Sequence, residues 1–185
     1  MKKLLIINGS PNRGGTTAKI IKDIIKDIDK DKIQITEINC YKLNINPCID
    51  CKCCSYKKSV CSINDDMNSI YTNLKESDYI ILASPMYFGM FSAPLKALID
   101  RCQLIWSEKH LFNEISKPKK GIFIFNGGCS WKNMFEPMET IGRYFFNTIN
   151  CTLVHSIYVE NTDKNINAIN ESRANIVKCI DIISQ

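Results

Sequence analysis

The chain predicts a three-layer α/β sandwich with one five-stranded parallel sheet in the order 2-1-3-4-5. Three observations carry this. Apolar runs of strand length alternate five times with segments whose apolar residues recur at helical spacing. The run at residues 79–83 is apolar nearly throughout, as in a strand covered on both faces. At 185 residues, 45% of them hydrophobic, five strands fit that order better than a six-stranded dinucleotide-binding sheet. The expected organisation is a single domain over 1–185 with a cysteine-rich insertion at about 40–64.

The elements follow in order. Residues 4–7 form a short apolar run that stops at Asn8, Gly9 and Ser10, which reads as a buried strand entering a turn. Ile20, Ile21, Ile24, Ile25 and Ile28 come next at helical spacing. Lys19, Lys22, Asp23, Lys26 and Asp27 occupy the other face, so an amphipathic helix opens near Thr16 or Thr17. Ile33, Ile35 and Ile38 mark the second strand. Beyond the cysteine segment, Asn64 or Asp65 caps a helix carrying Met67, Ile70, Tyr71 and Leu74. Residues 79–83 are the third, central strand. Ser92 caps a third helix that tolerates Pro94 in its first turn and turns Leu95, Leu98 and Ile99 inward. Residues 121–125 and 152–159 are the last two strands, with a helix over 134–147 between them. Ile166, Ile169, Ile176, Val177, Ile180 and Ile183 mark the final helix.

Composition excludes several classes. The net charge of +5 is mild and the lysines are dispersed, so nucleic-acid binding is not expected. No stretch approaches the ~18 apolar residues of a membrane span, and no secretory leader is evident, so a cytoplasmic location is expected. In a reducing compartment ten cysteines are not a disulfide framework. Cys40, Cys102, Cys129, Cys151 and Cys179 are scattered and read as small core residues. His110 and His155 are isolated and read as packed or surface histidines.

In an open parallel sheet a ligand sits beyond the carboxyl ends of the strands, and three unusual loops leave those ends. The first, over 8–17, offers glycines, the hydroxyls of Ser10, Thr16 and Thr17, and the positive end of a helix. That is a nest for a terminal phosphate, with neither the Walker A nor the G-x-G-x-x-G pattern. The second, over 84–92, holds Pro85, Met86, Tyr87, Phe88 and Gly89. These suit stacking on a planar ring, or else the core or a subunit contact. The third contains Asn126, Gly127 and Gly128, followed by Cys129, Ser130 and Trp131. Its paired glycines point to close backbone approach. Phosphate nest, aromatic loop and glycine-rich wall match the three parts of flavin mononucleotide, FMN.

Cys48, Cys51, Cys54 and Cys61 fall at C-x2-C-x2-C-x6-C, with Cys53 as a fifth thiol. Thiolates at this pitch can converge on one soft metal. An iron–sulfur cluster is the leading reading, since zinc more often uses two separated pairs; zinc and no metal remain open. Cys53 in place of Cys54, or as a free thiol, is also open.

The first loop resembles the phosphate loop of the NADPH-dependent FMN reductase family. Residues 84–89, followed by Pro94 through Arg101, are similar to that family's flavin-ring loop and the helix after it. The cysteine run resembles its iron–sulfur flavoprotein branch, and the likeness covers residues 3 to about 130. The resemblance implies a flavodoxin-like fold, bound FMN and a homodimer or homotetramer. Ser10, Asn12, Gly15, Thr16 and Thr17 would lie at the phosphate. Pro85, Met86, Tyr87, Phe88 and Gly89 would lie at the ring, with Asn126, Gly127 and Gly128 as the wall. It also implies a 4Fe-4S cluster on Cys48, Cys51, Cys54 and Cys61, with electrons passing between cluster, FMN and a ferredoxin-type protein or a small-molecule acceptor. The alternatives are a cluster-free NAD(P)H-dependent FMN or quinone reductase, a flavin electron carrier without a substrate, and a metal-stabilised interaction module. No acid–base residue is required, so none is assigned as catalytic.

Overall fold

The computed structural model describes residues 1–185. Five strands form the sheet: β1 (Lys2–Asn8), β2 (Ile33–Asn39), β3 (Tyr79–Pro85), β4 (Lys119–Asn126) and β5 (Cys151–Val159). All neighbours pair in parallel, in the order β2-β1-β3-β4-β5, as the alternation predicts. The helices are α1 (Thr16–Asp27), α2 (Cys53–Tyr56), α3 (Met67–Glu76), α4 (Ala93–Arg101), α5 (Gln103–Leu111), α6 (Glu136–Thr148), α7 (Ala168–Glu171) and α8 (Arg173–Ser184).

The pleat divides each central strand between two cores. Leu5, Ile7, Ile80, Leu82, Phe123 and Phe125 face the larger one, with α3, α4, α5 and α6. Leu4, Ile6, Tyr79, Ile81, Ile122 and Ile124 face the other, with α1 and α8. A strand buried on both faces needs apolar residues at every position, which is why the sequence runs there do not alternate.

Four local expectations are revised. The final helix is broken into α7 and α8 at Ser172, and Ile166 is almost wholly exposed, outside both. An unanticipated α5 follows α4 across Cys102; its buried positions include Ser107 and Glu108, so no apolar stripe marks it. Asp66, not Asn64 or Asp65, is the residue before α3, although Asp65 Oδ1 accepts the Met67 N–H at 3.1 Å. Ser92 precedes α4 as expected, but its hydroxyl makes no capping bond and is buried without a partner. No helix is long and apolar enough to cross a membrane.

Cys40, Cys102, Cys151 and Cys179 are buried as expected, whereas Cys129 is exposed. Burial pushes the thiols of Cys40, Cys151 and Cys179 up to about 12. In the unfolded chain they ionise near 9, so the fold holds more protons above that pH. Their contribution is complete below pH 9 and is lost between 9 and 12. Each proton difference contributes about 1.4 kcal/mol per pH unit. Buried Lys119 has the opposite sign: burial lowers it to about 8, so it adds stability as pH rises from 8 towards 10.5. Burial raises Cys102 as well, so with four thiols against one amine stability falls steeply above pH 9.5, and urea unfolding between pH 7 and 11 under reducing conditions measures it.

Candidate functional site

The carboxyl ends of β1, β3 and β4 bring the three loops together, and Asn126 joins them. Its side-chain oxygen accepts the Thr17 hydroxyl at 2.5 Å, and its backbone carbonyl accepts the Met86 N–H at 2.8 Å. Asn126 is buried, so both bonds form away from competing water.

The first loop is held from within. The Ser10 N–H donates to Asn8 Oδ1 at 2.9 Å, its hydroxyl oxygen accepts the Asn12 N–H at 3.3 Å, and its carbonyl accepts Asn39 Nδ2 at 3.1 Å. The Gly14 N–H donates to Asn12 Oδ1 at 3.0 Å. These bonds set the curve of the loop and leave α1 with Gly15 at its cap and no side chain on its first amides. The N–H groups of a first turn have no partner within their own helix, so an uncapped start suits an anion. Of the expected donors, the Thr17 hydroxyl gives its proton to Asn126, and the residue also offers its backbone N–H.

The second loop is a tight hairpin. Tyr87 and Met90 exchange backbone hydrogen bonds at 2.8 and 3.0 Å, with Phe88 and Gly89 between them at φ +50° and +78°. Positive φ at both central positions is the geometry of a type I′ turn, natural for glycine and strained for phenylalanine. The Phe88 ring is fully exposed and that of Tyr87 partly so, while Phe91 is buried. The hairpin thus presents two aromatic rings above the sheet edge.

The third loop is less open than its glycines suggest. A Cβ on Gly127 would lie 2.4 Å from Met134 Cε, and one on Gly128 would lie 2.3 Å from Asp163 Oδ2. The close approach is therefore made by protein. The segment after β5 supplies it: Thr162 donates to the Gly127 carbonyl, Asp163 to that of Gly128 and Asn161 to that of Cys129. Sequence reasoning missed this cover because Asn161, Thr162 and Asp163 carry no pattern of their own. Trp131 is half-exposed beyond it.

Cys48, Cys51, Cys53, Cys54 and Cys61 line one small cavity together with Ile63, Leu104 and Arg101. Asp50 and Lys52 adopt positive φ, which coils the segment; Cys48 and Cys51 remain exposed, and Cys53, Cys54 and Cys61 are half-buried. Soft thiol donors on one shared wall fit an iron–sulfur or zinc centre. They do not yet form a coordination sphere: no three His, Cys, Asp or Glu side chains are arranged to hold a metal ion. Loading would require the thiols to draw together. The Ser62 hydroxyl, 2.9 Å from Cys51 Sγ, and the Cys53 N–H hold the exposed Cys51 thiol below its usual range, which favours the thiolate a metal needs. The Ser107 hydroxyl donates to Cys54 Sγ at 3.6 Å.

Two anchors from the helices after β3 hold this segment. Arg101 pairs with Asp65, both fully buried, through contacts of 2.7 and 3.2 Å. It also donates to the carbonyls of Asn46 at 2.9 Å and Ile63 at 3.2 Å. Burial works against the Arg101 charge, but the Asp65 hydrogen bonds outweigh it and hold the guanidinium above its ordinary range. Buried Glu108 accepts from Ser59 at 2.5 Å and from Lys75 at 2.6 Å.

The model of the NADPH-dependent FMN reductase family matches residues 2–117. The chain belongs to this family. An iron-sulfur flavoprotein of Methanocaldococcus jannaschii is 39% identical over 99 residues, covering 54% of this chain and 51% of that one. The chain thus spans about half the length of that relative. An iron-sulfur flavoprotein of Archaeoglobus fulgidus is 31% identical over 142 residues, covering 76% and 69%. The fold is that of an FMN-dependent NADH-azoreductase from Bacillus anthracis, at a TM-score of 0.77 and 13% identity over the full length of both chains. It is also that of an NAD(P)H:quinone oxidoreductase from Methanothermobacter marburgensis, at 0.73 and 11% identity over 98% of this chain and 94% of that one.

Thr17→Val leaves the Asn126 oxygen buried without its donor and should lower stability by about 1–3 kcal/mol. Arg101→Ala strands the Asp65 carboxylate and should lower it by about 3–5 kcal/mol. Urea unfolding of each variant measures both.

Proposed function

We propose that this chain is an FMN-dependent oxidoreductase that passes electrons between a cysteine-bound iron–sulfur cluster, FMN and a ferredoxin-type protein or small acceptor. The observation that carries this reading is the joining of three loops at Asn126, one starting an uncapped helix and one presenting aromatic rings. The first amides of α1, with Ser10, Asn12, Gly15 and Thr16 and the N–H of Thr17, hold the phosphate. Pro85, Met86, Tyr87, Phe88 and Gly89 lie against the ring, and Asn126, Gly127 and Gly128 close the wall. Bound FMN supplies hydride or single-electron chemistry. The chain's part is to fix the ring, keep water from one face of it and leave the other open to a partner.

Cys48, Cys51, Cys54 and Cys61 would hold a 4Fe-4S cluster, with Cys53 spare. The shared cavity and the names of the relatives, iron-sulfur flavoproteins, support this. The exposed rings of Tyr56, Phe88 and Trp131 support a homodimer or homotetramer, and the abundance of free thiols supports a cytoplasmic location. A second reading is a cluster-free NAD(P)H-dependent FMN or quinone reductase. The open arrangement of the thiols favours it.

The visible spectrum of protein purified without oxygen decides between them. Two flavin bands with broad, reductant-bleached absorption at longer wavelength support the cluster reading; flavin bands without iron select the second. No affinity for FMN in folded protein would sink both. Gly15→Asp places a carboxylate at the helix start and should weaken FMN binding at least tenfold, about 1.4 kcal/mol, in a fluorescence titration. Cys54→Ser should abolish the cluster absorption and iron content, and Cys53→Ser should leave them intact. The opposite result reassigns the ligand.

A further inference from the structure

Arg101 is the largest of the fully buried side chains, and it stands in the wall of the cysteine cavity. Its guanidinium fork is spent. Nη1 donates to Asn46 O and Asp65 Oδ2, and Nη2 to Ile63 O and Asp65 Oδ1. Nε is different: it is buried and has no hydrogen-bond partner. A buried donor left unpaired is unfavourable, and a clasp alone does not require one at this place. The cavity wall it shares carries five cysteines, Cys48, Cys51, Cys53, Cys54 and Cys61, beside the polar Asp50, Lys52, Ser55 and Gln103.

We propose that Arg101 is a positioning and tuning residue of the metal centre: its Nε–H is the donor reserved for sulfur in the loaded cavity, while Nη1 and Nη2 hold the ligand-bearing segment. This rests on the cluster reading above. An N–H directed at a cluster sulfur favours the more negative, reduced form and so raises the reduction potential. Because Asp65 balances the charge of Arg101, the effect comes from the hydrogen bond and the local dipole rather than from a net cation. The same side chain also fixes where the segment sits, since Asn46 and Ile63 lie on either side of the cysteine run.

The test compares wild type with Arg101→Lys, both purified without oxygen. Lysine keeps a cation against Asp65 and has no N–H at the Nε position. Iron and sulfide content and the visible spectrum establish loading, and a dithionite titration with redox mediators gives the midpoint. The expected result is a cluster still bound, at lower iron occupancy, with its one-electron equilibrium shifted about tenfold against reduction, a fall of about 59 mV. Asp65→Asn, the second variant, leaves the guanidinium uncompensated beside the sulfurs and is expected to raise the midpoint. A loaded Arg101→Lys protein with the wild-type midpoint overturns the proposal. If Arg101→Lys does not fold or folds without iron, a loaded Asp65→Asn protein with the wild-type midpoint overturns it. Wild type that binds flavin but no cluster removes the cluster reading first and this inference with it, a result distinct from an unmoved potential.

Discussion

The site depends on one buried amide. Asn126 ends β4, and strand order places β4 beside β3, one strand away from β1. From there its side-chain oxygen accepts a hydroxyl from α1 and its backbone carbonyl accepts an N–H from the loop after β3. A buried amide oxygen without donors would be strongly unfavourable, so the two loops are held where those donors are. Without this tie, the nest at α1 and the aromatic hairpin would be separate surface loops with independent motion. Preorganisation of this kind lowers the ordering that binding must otherwise impose.

A second constraint joins that edge to the cysteine cavity. Helix α4 begins just after the hairpin and ends at Arg101, so one short rigid rod connects the aromatic hairpin to the cysteine cavity. The clasp at its end is a buried ion pair, which is weak evidence for stability but is specific in its geometry. The fork accepts one placement of Asp65 and of the Asn46 and Ile63 carbonyls. Glu108, on the next helix, fixes Ser59 in the same way. A segment with little regular structure of its own is thus located by two charged side chains on the helices behind it.

The sheet was legible because strands buried on both faces carry unbroken apolar runs, and α1 because its isoleucines repeat at helical spacing. The glycine-rich turn after β1 and the cysteine spacing were legible for a related reason: both are short-range patterns among neighbours in the chain. Helix α5 was not legible, since two of its buried positions are Ser107 and Glu108, whose burial is justified only by partners far away in sequence. The break at Ser172 was hidden by Ile166, an apolar residue that the fold leaves in solvent. The Thr17–Asn126 bond was not legible either, because it appears only when the end of β4 is brought beside α1.

By itself, then, the sequence determined the succession of strands and helices, the loops that follow the strands and the spacing of the thiols, because each is written in local periodicity or spacing. Only the tertiary structure decided which donors are free. It turned Thr17 to Asn126, filled the space at Gly128 with Asp163, and set Arg101 between Asp65 and the cysteines. The physical reason is that a polar group's availability depends on every partner within about 3 Å, and in this protein those partners lie tens of residues away along the chain.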